Sequence, residues 1–250
     1  MAYQLMAGLY DKLMEDAPYD KWVEFTEKVL ARYNQKDVKL VDLGCGTGEV
    51  SIRLAEKGFH VSGVDFAQDM LTIAEQKAAK RNLQIQWIHQ DLIELKGLSG
   101  LDVALSYCDV INYITTKEDV LQVFSNVFHS LKEEGIFIFD VHSLSHVHHH
   151  LANQTFADVT EDSSYIWFCY EGESEGEMYH DLTFYSQQGD TYIRFDETHH
   201  QQTYPVDTYI DLLKIAGFEI LTVCGDFFLE KHFSEDEAER IFFIAQKRTR

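Results

Sequence analysis

Val38-Lys39-Leu40-Val41-Asp42-Leu43-Gly44-Cys45-Gly46-Thr47-Gly48-Glu49-Val50 joins a short apolar run to three glycines at alternate positions. Val38, Leu40, Val41 and Leu43 form a nearly continuous apolar segment, the pattern of a parallel strand covered on both faces. Gly44, Gly46 and Gly48 let the backbone turn tightly and approach a ligand with no Cβ in the way. A helix from about Glu49 would point its N-terminal amides back at that loop. A dinucleotide fingerprint, G-x-G-x-x-G, needs its third glycine at position 49, where Glu49 stands. The observed spacing, G-x-G-x-G, therefore reads as a nucleotide-binding turn of another kind.

Downstream the chain alternates strands and helices. Phe59 to Asp65 reads as a second strand ending in a carboxylate about twenty residues past the loop, where doubly wound folds place an acceptor for two ribose hydroxyls. A helix over Phe66 to Lys80 follows, with Met70, Leu71, Ala74 and Ala78 inward. A third strand, Ile85 to His89, leads into Gln90-Asp91-Leu92, and a fourth, Leu101 to Ser106, into the aromatic and polar loop Tyr107 to Tyr113. Thr115 to Glu118 has the form of a capping box opening a helix whose buried stripe is Val120, Phe124, Val127, Phe128 and Leu131. Ile136 to Val141 is a fifth strand.

Residues 143–204 break this rhythm. Tyr165 to Tyr170, Met178 to Tyr185 and Thr191 to Gln202 alternate in the manner of an antiparallel meander. After Pro205 the βα pattern resumes, with a helix over Val206 to Ala216, a sixth strand from Phe218 to Cys224 and a seventh from Arg240 to Gln246. Ahead of the glycine loop, residues 1–36 read as two helices flanking Pro18, expected to cover the ligand edge and to bring Tyr10 and Tyr19 to it. The expected division is thus a helical cover over 1–36, an α/β domain made of 37–142 and 205–250, and an inserted lobe over 143–204.

Composition narrows the function classes. With 21 basic and 42 acidic residues the net charge is −21, a field that opposes non-specific binding to nucleic acid. Cys45, Cys108, Cys169 and Cys224 include no C-x-x-C pair, which argues against a zinc knuckle or a disulfide scaffold and suits a reducing cytoplasm. The N-terminus lacks a basic region followed by an apolar core, and no apolar run is long enough to span a bilayer, so an unsecreted protein without membrane contact is expected.

The G-x-G-x-G loop with Asp42 before it, the segment Asp65-Phe-Ala-Gln-Asp-Met-Leu71, Asp91, and the order helix, Leu-Lys-Glu-Glu-Gly, apolar strand, Asp140 together resemble the class I S-adenosylmethionine (SAM)-dependent methyltransferases. The N-terminal Tyr-Asp and Pro-Tyr elements and the insert more narrowly resemble the small-molecule N-methyltransferases, among them glycine N-methyltransferase and the amino-sugar N,N-dimethyltransferases, and the bacterial YqeM-like proteins. The resemblance implies a Rossmann-like α/β sheet of seven strands, six parallel and one antiparallel, flanked by helices. It implies SAM as cofactor and S-adenosylhomocysteine as product. Tyr10, Tyr19, Asp42, Gly44, Cys45, Gly46, Gly48, Asp65, Phe66, Met70, Gln90, Asp91, Leu92 and Tyr107 are then the expected cofactor contacts, with Asp65 on the ribose and Asp91 and Leu92 on the adenine.

Methyl transfer by in-line displacement depends chiefly on alignment of acceptor and methyl group, and needs a general base only when the acceptor arrives protonated. Tyr107, Tyr10 and His180 are the candidate catalytic residues. The run His142, His146, His148, His149, His150 lacks a carboxylate or cysteine pattern that would complete a metal site, and none is expected. Adjacent prolines are absent and neither proline is followed by cysteine, which excludes the common amino-methylating and C5-pyrimidine DNA enzymes. The expected acceptor is a small molecule methylated at nitrogen or oxygen, and a homodimer is compatible with the sequence. The alternatives are a tRNA or protein acceptor and a non-catalytic SAM-binding regulator.

Overall fold

In the computed structural model, which describes residues 17–35, 38–230 and 233–248, the apolar run before the glycines is β1 (Lys39–Leu43), buried beyond its first residue. β1 lies between β2 (His60–Asp65) and β4 (Leu101–Ser106) and is parallel to both. β3 (Gln86–His89) pairs parallel with β2, and β5 (Leu131–His142) parallel with β4. β11 (Arg240–Lys247) is antiparallel to both β5 and β10 (Phe218–Gly225). The order β10-β11-β5-β4-β1-β2-β3 thus gives six strands running one way and β11 the other, as the sequence predicts.

Alternation along the strands divides the core. Val41, Leu43, Phe137 and Phe139 face α4 (Lys117–Ser130) and α6 (Val206–Ala216), where they meet Phe124, Val127, Tyr209 and Leu213. Leu40, Val103, Ile136 and Ile138 face the opposite layer, where α1 (Tyr19–Arg32) and α2 (Glu49–Glu56) supply Trp22, Phe25, Val29 and Leu54. Each such side chain contributes about 1.5–3 kcal/mol on burial. Period two along β5 also has a polar consequence: Asp140 shares the Ile138 face and is buried beneath α1. α3 (Gln68–Lys80) follows β2.

Between β5 and α6 the chain leaves the large sheet. A short helix α5 (Leu144–His146) runs into a π-helical turn, Val147–Leu151. A four-stranded antiparallel sheet follows: β6 (Thr155–Val159), β7 (Ser163–Glu171), β8 (Glu177–Gln188) and β9 (Thr191–Gln202), in that order. Three of these strands match the sequence expectation. β6 does not appear in it, because an exposed edge strand carries no alternating apolar signal. Directly paired residues share a face, so Trp167, Leu182 and Glu197 lie on one face with His180, His199 and Gln201, whereas Phe168, Tyr170, Tyr179 and His200 lie on the other.

Two local expectations shift. The cap of α4 is Thr116, which accepts from the Asp119 amide at 3.1 Å and donates to the Asp119 carboxylate, one residue beyond the Thr115–Glu118 box read from sequence. α3 opens at Gln68 rather than Phe66, because Asp65 draws the Ala67 amide to its own carboxylate. Tyr10 and the first predicted helix lie outside the described residues. Among the described residues no helix is long and apolar enough to cross a membrane.

Candidate functional site

The glycine loop is pinned to β2 and open on its far side. The Gly44 and Cys45 amides both donate to the Val64 carbonyl, at 2.8 and 3.0 Å. All three glycines have positive φ. A Cβ on Gly44 would stand 2.4 Å from Val110, and one on Gly48 2.7 Å from Trp87; one on Gly46 would meet nothing within 4 Å among the described residues. Gly46 is therefore the point at which a ligand can touch bare backbone. Tyr19, Asp42, Gly44, Cys45, Gly46, Tyr107 and Cys108 line a cavity of about 60 Å³ there. A larger cavity, about 1080 Å³, runs along the β3 edge of the sheet, from Lys39, His60 and Leu101 at the strand starts to Trp87 and Gln90 at the end of β3.

Asp65 ends β2 beside the loop. Oδ2 accepts from the Gly46 amide and Oδ1 from the Ala67 amide, both at 2.8 Å, which orients the carboxylate and leaves each oxygen a further lone pair. Burial raises its pKa against the pull of those amides. Asp42, at the end of β1, accepts from Ser51 at 2.6 Å; burial lifts its carboxyl to about 6. These are the groups an adenosine with a cationic amino-acid tail requires: acceptors for two hydroxyls, a carboxylate for the ammonium, and a loop with no side chain in between. The residues present thus fit SAM.

Gln90, Asp91 and Leu92 follow β3 on the same side. The Asp91 Oδ1 caps the Ile93 amide at 2.8 Å, so the turn-capping role and an open second oxygen coexist. Gln90 is tied to Lys96 through both its amide atoms, Leu92 is buried, and Met70 is half-buried. The Phe66 ring stands 74% exposed at the start of the β2–α3 turn, available to cover a ligand.

The loop after β4 carries a second constellation. Cys108 and Asp109 both adopt the left-handed conformation, at φ 59° and 53°. Non-glycine residues held this way cost of order 1–3 kcal/mol each and persist where surrounding contacts enforce them. Asp109 supplies those contacts. Its amide donates to Asp140, its Oδ1 accepts from Arg240 Nη2 at 3.0 Å, and its Oδ2 accepts from Gln201 Nε2 at 2.8 Å. Arg240 also donates to Asp140 at 3.1 Å, and Trp22 Nε1 donates to the same Oδ2 at 2.8 Å. Burial opposes ionisation of Asp109, but His142 and Arg240 overcome it and hold the carboxyl well below the usual range. At Asp140 burial wins and the pKa is raised. One step on, buried Asn112 accepts from the His142 amide and donates to the Gln202 carbonyl, fixing the loop to β5 and β9 together.

The three catalytic candidates separate. Tyr107 is buried with its hydroxyl 2.8 Å from Thr26 Oγ1 of α1, and burial raises its pKa far above that of a free phenol. His180 has both ring nitrogens engaged, Nδ1 by Trp167 at 3.0 Å and Nε2 by Gln201 at 3.1 Å, and burial pushes its pKa down to about 4. It reaches the constellation only through Gln201. Tyr10 lies outside the described residues. Three groups escaped the sequence reading of the site: Asp109, Arg240 and Gln201. Asp109 was visible only as part of a loop, and the other two stand on strands whose registers bring them together from over 30 residues apart. His142, His146 and His150 stack at 5.5 and 5.4 Å, and the described residues hold no group of three ligand-type side chains placed for a metal.

Residues 40–135 match the family model described as a methyltransferase domain. Over 99% of the chain and 98% of the relative, the sequence is 44% identical to YqeM of Bacillus subtilis (strain 168), a protein named as a methyltransferase. It is 24% identical to the glycine/sarcosine N-methyltransferase of Aphanothece halophytica over 90% of this chain and 81% of that one. Among solved structures, a SAM-dependent methyltransferase from Clostridium acetobutylicum ATCC 824 superimposes with a TM-score of 0.89 at 29% identity, covering all of both chains. The glycine loop, the oriented Asp65 and the full-length match agree: the chain belongs to the YqeM family of SAM-dependent methyltransferases.

Proposed function

We propose that this methyltransferase acts on a nitrogen of a small-molecule acceptor bound between the glycine-loop edge of the large sheet and the inner face of the four-stranded sheet. Bound SAM would supply a sulfonium methyl group whose departure leaves neutral S-adenosylhomocysteine. Asp65 would take the ribose hydroxyls with its remaining lone pairs, and Asp91 and Leu92 would bracket the adenine, with Phe66, Met70 and Gln90 around them. Tyr19, Asp42, Gly44, Cys45, Gly46, Gly48 and Tyr107 would enclose the amino-acid tail. The insert would then serve as the acceptor's cover. A reducing cytoplasm is the setting that suits its four free cysteines.

The observation that carries the acceptor reading is the charge of that edge. Arg240 is already matched by Asp109 and Asp140, while Glu197 adds a carboxylate on the facing strand. Such a wall attracts a cation and repels phosphate or carboxylate. The glycine/sarcosine N-methyltransferase among the relatives supports nitrogen as the target. Calorimetry with SAM and S-adenosylhomocysteine tests the cofactor, followed by label transfer from methyl-labelled SAM to matched amines, alcohols and carboxylates. Transfer to amines alone is expected. Label entering bulk tRNA, with binding that collapses as salt rises, would instead sink the small-molecule reading.

A further inference from the structure

An amine acceptor is protonated near neutral pH, and an ammonium nitrogen has no lone pair to attack a methyl group, so a group at the acceptor edge must take its proton. Most titratable side chains there are committed. Asp109 is saturated by Arg240 and Gln201, and Asp140 is fully buried under Trp22 and Arg240. His180 and Tyr107 are engaged as described above, and desolvation together with the Asp109 and Glu197 carboxylates raises the Tyr113 phenol well beyond its usual range, although the residue as a whole is 43% exposed. His142 is largely enclosed, with 15% of its side chain exposed, stacked on His146 and directed at Asp109, 3.5 Å away.

His199 differs in each respect. It lies on the inner face of β9, two residues before Gln201 and opposite His180. Its Nε2 meets Glu197 Oε2 at 3.0 Å, and the pair keeps 30% and 20% of its side-chain surface exposed. Tyr113, at the end of the loop that carries Asp109, packs edge-on to the imidazole at 5.7 Å. The imidazole is thus held against the same loop that borders the glycine cavity. With the Nε2 proton directed at Glu197, Nδ1 carries the lone pair and faces no partner among the described residues. A base whose far nitrogen is oriented by a carboxylate is the arrangement that general-base histidines use.

We infer that His199, oriented by Glu197, is the general base that takes the proton from the acceptor's ammonium nitrogen. The nitrogen–hydrogen bond breaks, its electron pair stays on nitrogen as the nucleophile, and the proton passes to Nδ1. Glu197 attracts the ammonium on arrival and balances the imidazolium afterwards. This inference rests on the amine reading proposed above.

The experiment uses benzylamine, ethanolamine and cadaverine as probes, with benzyl alcohol as the neutral control. With the S-adenosylhomocysteine complex, calorimetry should show benzylamine binding about tenfold more tightly than benzyl alcohol, and Glu197→Ala should remove that preference. His199→Gln should leave benzylamine affinity within about threefold of the parent but lower kcat for methyl transfer about a hundredfold near neutral pH, a deficit that shrinks as pH approaches the amine's own pKa. A pH-independent deficit, an unchanged kcat, no amine preference, or no transfer to any of the three amines would overturn the inference. Failure of S-adenosylhomocysteine to bind the parent protein would instead overturn the cofactor assignment beneath it. Thermal melts of both variants with the complex distinguish loss of fold from loss of the base.

Discussion

Gln201 on β9 donates to Asp109 Oδ2 at 2.8 Å, so the four-stranded sheet and the loop after β4 share one carboxylate. The other oxygen of Asp109 is held by Arg240 of β11, and Arg240 in turn reaches Asp140 of β5 and lies 5.4 Å from the Trp22 ring of α1. Five parts of the chain thus meet at two carboxylates at the edge where the glycine loop opens. A displacement of the insert pulls on the same residues that keep Cys108 and Asp109 in their strained backbone conformation. If the acceptor binds on the insert as proposed, this cluster is the contact through which it would be coupled to cofactor binding at the loop.

Removing Arg240 takes away the guanidinium shared by Asp140, fully buried, and Asp109, part-buried. Arg240→Met should lower stability by about 3–5 kcal/mol, the usual effect of breaking one side of a buried pair. Arg240→Lys should recover less than half of that, since an ammonium cannot present the planar fork that spans Asp109 and Asp140. Urea denaturation at neutral pH measures both. A loss below about 1 kcal/mol for the methionine variant would mean that the cluster is solvated rather than structural.

Asp65→Ala should weaken SAM binding by roughly ten- to a hundredfold, because charge-assisted hydrogen bonds contribute about 1.5–3 kcal/mol. Asp91→Ala should cost only about three- to tenfold, in keeping with a single hydrogen bond to an exposed carboxylate for which water competes. Calorimetry ranks the two. Equal losses would place the ribose elsewhere.

What the sequence reveals here follows from what is local. The alternate glycines, the carboxylates closing β2 and β3, and the apolar strands are contiguous patterns, so the large sheet and its nucleotide edge can be read directly. The edge around Asp109 is assembled differently. Asp109, Arg240 and Gln201 come from three distant segments, and none carries a local signal, since a polar residue near a strand end is ordinarily a solvated one. Register decides their meeting: Arg240 pairs with His142 on β5, two residues from Asp140 and so on the same face. His180 shows the converse case. A histidine in an alternating strand invites a catalytic role, yet pairing with Trp167 and Gln201 consumes both nitrogens, while His199, its register partner across β8 and β9, keeps one without a partner among the described residues.

Gly46 and Gly48 should separate ligand binding from folding. Both have positive φ, so alanine at either costs about 1–2 kcal/mol of backbone strain. At Gly48 the new Cβ also meets Trp87 at 2.7 Å and Ala74 at 3.0 Å, which should make Gly48→Ala the less stable variant. At Gly46 the Cβ meets no atom of the described residues within 4 Å and would occupy the space assigned to the cofactor. Gly46→Ala should therefore melt closer to the parent yet lose more than about tenfold in SAM affinity. The reverse ranking in melting and calorimetry would remove Gly46 from the site.

Asp42 links the cavity to pH. Burial lifts its folded-state pKa from the ordinary 3.8 to about 6, so between those values the folded protein binds a proton that the unfolded chain releases. A raised carboxyl contributes stability that is complete below about pH 3.8 and is lost as pH rises through about 6. At about 1.4 kcal/mol for each pH unit between the two values, the ionised group costs roughly 3 kcal/mol at neutral pH. Asp42→Asn, which can still accept the Ser51 hydroxyl, should thus be more stable than the parent at about pH 7.5 by up to about 3 kcal/mol, with the gain vanishing towards about pH 4. Such a cost is offset when a cation occupies the cavity, so the same variant should bind SAM more weakly while gaining stability. Denaturation curves between about pH 4.5 and 7.5, paired with calorimetry, test the two halves together. A variant that gains neither stability at neutral pH nor loses SAM affinity would show that Asp42 carries no buried charge.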